Sequence, residues 1–230
     1  MALILRFLVP FLSSLLVFAQ ATVVTPGTIL EPKTMPASAA LRAKLPHAVD
    51  VEESVTLPNS DELLVYDSVH DSDGTTDFMD NHPHVALWGS GGVLFDSDVA
   101  SLASSGPTRF QGMAVLPGGK ADAVAVLAFS LGVDGAGTFF VFIGQPSARY
   151  EVVATLTGTQ AQLRFRLDGR YEMWSADGAS TSESCVWCPK YFKKTTLTWR
   201  DGTLRRVATT KTSRGYQPDT FADKPFVLVK

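Results

Sequence analysis

The chain has 230 residues, with 20 basic and 23 acidic side chains and a formal charge of −3 at neutral pH. Without a basic field to hold a polyanion, nucleic acid is excluded as a partner on charge grounds. Apolar residues make up 45% and charged residues 19%, the balance of a chain with a packed core and not of a disordered one.

The N-terminus reads MALILRFLVPFLSSLLVFAQA. Arg6 precedes an apolar run from Phe7 to Phe18, and Ala19-Gln20-Ala21 forms an A-x-A cleavage site. Residues 1–21 are therefore expected to be a secretory signal peptide, which places the protein in a periplasm or outside the cell. The run is shorter than the roughly 20 residues a membrane-spanning helix needs, and no later stretch is long and apolar enough, so no transmembrane segment is expected after cleavage. Removal of 1–21 would leave 209 residues with 19 basic and 23 acidic side chains.

Residues 22–57 are rich in Pro and Ala, with Pro26, Pro32, Pro36 and Pro46 favouring extended backbone. One short helix is expected over Ser38–Leu45, with Ser38 as its N-cap. The rest reads as an extended leader or linker. Residues 58–230 are expected to form a single β-rich domain.

In that domain short runs rich in Val, Phe, Tyr, Thr and Trp alternate with Gly and Asp turns. Strands are predicted at Glu62–Val69, His84–Gly89, Gly92–Asp96, Arg109–Leu116, Asp122–Leu131, Gly137–Gly144, Arg149–Leu156, Ala161–Leu167, Arg170–Ala176, Lys193–Arg200 and Thr203–Thr210. Only Ser97–Ser104 offers a second helix. Turn signals stand at Gly118-Gly119, Asp168-Gly169, Asp177-Gly178 and Asp201-Gly202. A two-residue turn at Asp201-Gly202 pairs Arg200 with Thr203 and Trp199 with Leu204, giving one apolar and one polar face. The expected fold is mostly β: antiparallel sheets arranged as a sandwich, a barrel or a partial propeller, with at most one or two short helices. A faint echo, Ala148-Arg-Tyr-Glu-Val against Gly169-Arg-Tyr-Glu-Met, raises the question of a repeated unit.

Asp67–His84, DSVHDSDGTTDFMDNHPH, holds three of the four histidines. Asp71-Ser-Asp73-Gly74-Thr-Thr-Asp77 can converge hard oxygen ligands on Ca2+. It resembles the later half of the calcium loops in integrin-type β-propeller repeats, although Val69 stands where those loops begin with another acid. His82-Pro83-His84 at a strand start puts two imidazoles on one face, a pattern suited to Zn2+ or iron with a third ligand from Asp80, Asp77 or His70. The bland alternative is a soluble loop of turn-forming residues. The candidate metal ligands are thus Asp71, Asp73, Asp77, His82 and His84.

The only two cysteines are Cys185 and Cys188, in SESCVWCPKYF. No second CxxC completes a zinc site, no His follows for haem attachment, and the surroundings lack the strand-to-helix setting of a thioredoxin-type site. In an exported chain the expectation is a disulfide pinning an irregular connection, with thiol-redox chemistry as the alternative. Trp88, Trp174, Trp187 and Trp199 suggest either core packing or a carbohydrate-stacking surface. No nucleophile elbow, P-loop or dinucleotide fingerprint is present, so catalytic residues are not assigned and no cofactor is expected beyond Ca2+ or Zn2+. Three functions remain: an exported binding or scaffolding domain, a metal-dependent enzyme or calcium-stabilised module, and a thiol-redox protein.

Overall fold

A computed structural model describes residues 24–68, 82–103, 108–117, 123–132, 137–146, 149–177, 191–212 and 224–230. The elements in chain order are β1 (Ile29–Leu30), β2 (Met35–Pro36), α1 (Ala39–Lys44), β3 (Ala48–Thr56), β4 (Glu62–Ser68), β5 (His82–Gly89), β6 (Gly92–Asp98), α2 (Val99–Ala103), β7 (Thr108–Pro117), β8 (Ala123–Leu131), β9 (Gly137–Gly144), β10 (Glu151–Thr159), β11 (Gln162–Phe165), β12 (Tyr171–Ala176), β13 (Phe192–Arg200), β14 (Thr203–Lys211) and β15 (Phe226–Leu228).

They form three five-stranded sheets, ordered β2-β3-β4-β5-β6, β1-β7-β8-β9-β10 and β14-β13-β12-β11-β15. Each contains a meander of four consecutive antiparallel strands plus one added strand, and β15 joins β11 in parallel. The added strands sit beside the first strand of each meander: β2 on β3, β1 on β7 and β15 on β11. No sheet closes into a barrel.

The sheets stack as layers, and the burial pattern explains why. Val55, Leu63, Val65, Val85 and Leu87 of the first sheet meet Met113, Leu127, Phe129, Phe139 and Val141 of the second. The other face of the second sheet, with Ala114, Val126, Phe140 and Phe142, meets Leu163, Phe165, Tyr171, Leu197 and Phe226 of the third. The central strands β8 and β9 of the middle sheet are covered on both faces. That is why AVAVLAFSL and GTFFVFIG run apolar without alternation, a pattern that signals burial on both sides.

Each of the eleven predicted strands coincides with an observed one. Ser38 caps α1, its hydroxyl accepting from the Leu41 N–H at 3.1 Å. The leader-or-linker reading of residues 22–57 is corrected. β1, β2 and β3 are sheet strands, and Ala37, Leu45, Ala48, Val51 and Val55 are buried. Prolines concealed this because Pro36 lies on a short edge strand, where its missing N–H costs no ladder bond. The echo at Tyr150 and Tyr171 is not a repeat. Glu151 opens the fourth strand of one meander and Tyr171 the second strand of another.

The turn at Asp201-Gly202 has the predicted register, Arg200 opposite Thr203 and Trp199 opposite Leu204. Both turn residues have positive φ, 52° and 72°, as a type I′ turn requires. A Cβ on Gly202 would stand 2.6 Å from Pro146 Cα. Gly202→Ala should therefore cost about 1–2 kcal/mol and lower the melting temperature by several degrees. A melt unchanged by the substitution would show that the turn does not rest on Pro146.

Candidate ligand cleft

The first-strand edges of the three sheets face a common cleft of about 1100 Å³. Its lining comes from all three: the β1–β2 connection with Glu31 and Pro32, Glu52 of β3, Asp67 of β4, Arg109 and Gln111 of β7, and residues 224–228 around β15. Two β-bulges shape it. On β3, Val51 pairs with Tyr66 and Glu53 with Val65, so Glu52 is the extra residue. On β7, Phe110 pairs with Phe129 and Gly112 with Ala128, so Gln111 is the extra residue. A bulge re-aims a side chain that regular pleating would hold to a fixed face, and both bulge residues line the cleft.

Glu52 accepts from the Thr34 hydroxyl at 2.9 Å and is hydrogen-bonded to the Asp67 carboxyl. Burial, then the charge and hydrogen bond of Glu52, then the charge of Asp50, push Asp67 up to about 7. The Asp67 carboxyl thus keeps its proton up to near-neutral pH, because burial and the neighbouring negative charges disfavour its ionised form. Arg109 and Lys224 are exposed at the rim.

The raised Asp67 sets a pH dependence with a definite sign. Between about 4 and about 7 the folded chain keeps a proton that the unfolded chain releases, so stability falls as pH rises through that window. Asp67→Asn removes the titration. The variant should equal the wild type near pH 4 and exceed it above pH 7, by roughly 1 kcal/mol once solvent screening at this half-buried position is allowed for. Urea denaturation at both pH values checks this; a difference that does not depend on pH would refute the retained Asp67 proton.

A second polar cluster lies on the opposite face of the first sheet. Tyr66 donates its hydroxyl to both Asp96 oxygens, at 3.0 and 2.8 Å. His84 Nδ1 lies 3.2 Å from Asp96 Oδ1, and its ring stacks on Tyr66 with centroids 5.0 Å apart. Burial pushes the Asp96 carboxyl up, but hydrogen bonds from His84 and Tyr66 outweigh it and hold the group below its ordinary value. Burial, then the Asp96 hydrogen bond and charge, raise Tyr66 well above the usual phenol range.

His82 and His84 both lie on β5, two residues apart on one face, as the H-x-H pattern predicts. One imidazole edge of His84 is taken by Asp96. Among the described residues, no three His, Cys, Asp or Glu side chains gather so as to hold a metal ion. Asp71, Asp73, Asp77, Cys185 and Cys188 lie outside the described residues. The three described tryptophans do not make one stacking surface. Trp88 lies under Lys44 at 4.3 Å on the first sheet, Trp174 under Arg164 at 4.5 Å on the third, and Trp199 packs into the core between the second and third sheets; Trp187 is outside the described residues. Among the described residues no helix is long and apolar enough to cross a membrane.

Sequence reasoning missed Glu52, Asp67 and Asp96 as site residues. Glu52 fell in the stretch read as a linker. Asp67 was one acid among several in Asp67–His84. Asp96 was hidden by a bulge: a regular hairpin through Ser90-Gly91 would set Phe95 across from Ala86, and the register shift between Leu87 and Trp88 puts Asp96 there instead, on the face of His84. Compared with protein-family models, with curated proteins and with solved structures, the chain has no match in any of the three, so its functional reading rests on the geometry of the cleft.

Proposed function

We propose that the protein is an exported, non-catalytic binding module that seats a positively charged ligand in the cleft between its three sheets. The observation that carries this is the carboxyl pair Glu52–Asp67. It sits half-buried in the wall of a cavity just above the roughly 300–1,000 Å³ usual for ligand pockets. A cation entering there replaces the Asp67 proton, so its binding strengthens as pH rises through neutrality. The rim cations Arg109 and Lys224 are exposed, where water screens them and their contribution is small. No activated nucleophile lines the cleft among the described residues, which favours binding over covalent catalysis.

Export rests on the signal-like residues 1–21, and in an oxidising compartment Cys185 and Cys188 pair as a structural disulfide. Intact mass of the protein recovered from the periplasm or medium tests both. It should correspond to cleavage after Ala21, and alkylation should modify neither cysteine until a reductant is added. A free, alkylatable thiol pair would revive the redox reading.

The ligand reading is tested by titrating isotopically labelled protein with agmatine and putrescine, with acetate and glucose as controls. The two cations should shift amide resonances of Glu52, Asp67, Gln111 and Phe226, with affinity higher at pH 8 than at pH 6 and lost in Asp67→Asn. Shifts caused equally by acetate, or confined to other surfaces, would count against it.

A further inference from the structure

The cleft is bordered by an unpaired strand edge, and this identifies the class of ligand more closely. Among the described residues β15 is the last strand of its sheet and pairs on one side only, with β11. The register matches Leu163 with Phe226, Arg164 with Val227 and Phe165 with Leu228. Leu163 N–H donates to the Pro225 carbonyl and Val229 N–H to the Phe165 carbonyl, both at 2.8 Å. In a parallel ladder alternate residues bond to one neighbour. Residues 225, 227 and 229 therefore serve β11, and the N–H and C=O groups of Phe226 and Leu228 point the other way. Residues 224–228 all line the cleft, so those groups border it.

We infer that the cleft takes an extended peptide, which adds as a strand to the free edge of β15 and places a lysine or arginine side chain against Glu52 and Asp67. This rests on the cleft as the ligand site and goes beyond it in naming the main chain as the recognised group. Main-chain hydrogen bonds to the open edge supply affinity, and the carboxyl pair supplies selectivity.

The opposite end of the same sheet shows what a protected edge looks like in this molecule. β14 carries a bulge at Val207, between Thr196 and Leu197 of its partner, and presents Arg205 and Arg206. Bulges and charges are the usual means of preventing edge pairing. β15 has a regular register and apolar residues throughout. Only Lys224 and Pro225 at its entrance resemble gatekeepers. Charge complementarity decides the side chain. The two half-buried groups are acids, and a carboxylate in partly dry surroundings attracts a partner more strongly than the exposed Arg109 and Lys224 attract an anion.

The test uses the purified protein and a pool of capped hexapeptides randomised at every position. Enriched sequences should carry lysine or arginine at one fixed position. Replacing that residue by glutamate should weaken binding at least tenfold. N-methylation at alternate residues of one parity should abolish binding, while methylation at the other parity leaves it intact, since a strand offers its amides to one side in turn. On binding, the amides of Phe226 and Leu228 should become protected from hydrogen exchange. Binding indifferent to N-methylation, or enrichment of acidic peptides, would overturn the proposal. If no peptide is enriched while agmatine still shifts cleft resonances, strand addition falls and the cation site stands. If neither ligand perturbs the cleft, both readings fall together.

Discussion

Phe129→Ala and Phe140→Ala are each expected to cost about 3–5 kcal/mol of folding free energy, the range for deleting a fully buried phenyl ring. Both side chains are 0% exposed and both belong to the middle sheet, on β8 and β9. They point in opposite directions. Phe129 packs towards the first sheet, in the core that holds Val65, Val85 and Leu87, and its ring centroid is 5.5 Å from that of its cross-strand neighbour Phe110 on β7. Phe140 packs towards the third, 5.8 Å from Phe226. Two cavities in two different cores therefore test whether the stack is one cooperative unit. Because the middle sheet is common to both cores, each substitution should lower a single melting transition. Segment-resolved hydrogen exchange in mild urea reports the first sheet through β4 and β5, and the third through β12 and β13. If Phe129→Ala loosened only β4 and β5, and Phe140→Ala only β12 and β13, the layers would be independent units and the single-domain expectation for residues 58–230 would be lost.

The reasons the middle sheet was legible from sequence are the reasons the cleft was not. Strands such as AVAVLAFSL and GTFFVFIG carry enough β-branched and aromatic residues to be recognised without knowing their neighbours. The Asp201-Gly202 turn fixes its own register locally, so Trp199 opposite Leu204 could be derived on paper. Glu52 depends on something no local pattern encodes. Its stretch, VEESVT, holds three consecutive polar residues, Glu52, Glu53 and Ser54, in place of strand alternation and follows four prolines, so by composition it reads as linker. It becomes a strand because β4 offers it an apolar neighbour, with Val55 opposite Leu63. Its outward aim comes from a bulge, which is a property of the pair of strands and not of either one. The meeting of Glu52 with Asp67 is again a tertiary event. Asp67 stands at one end of the acidic stretch Asp67–His84, but the carboxyl it meets lies upstream, not downstream. The edge of β15 was hidden for a different reason: three apolar residues near a chain end carry too little periodicity to distinguish strand from coil.

Gly112→Ala is expected to destabilise the protein by about 2–4 kcal/mol, combining backbone strain with overpacking. Gly112 has φ 141° and follows the bulge residue Gln111 on β7. A Cβ there would lie 2.8 Å from the carbonyl oxygen of Leu30 on β1. That atom is backbone in a paired strand, so it cannot rotate away as a side chain would. Relief requires β1 to shift from β7. The strand is held by few bonds: Ile29 opposite Ala114, Leu30 opposite Met113, the Gly27 N–H to the Val115 carbonyl and the Val115 N–H to the Thr28 carbonyl, both at 2.8 Å. Displacement of β1 moves Glu31 and Pro32, which line the cleft beside Glu52. The variant should therefore show two linked effects: a lower urea midpoint, and faster hydrogen exchange at the Val115 amide together with at least tenfold weaker agmatine binding. Peeling of β1 sets an upper bound on the loss, because the strand can detach while β7–β10 keep their core. A variant with wild-type stability and wild-type exchange at Val115 would mean that β1 does not close against this bulge, and the wall that confines a ligand next to Glu52 would have to be sought elsewhere.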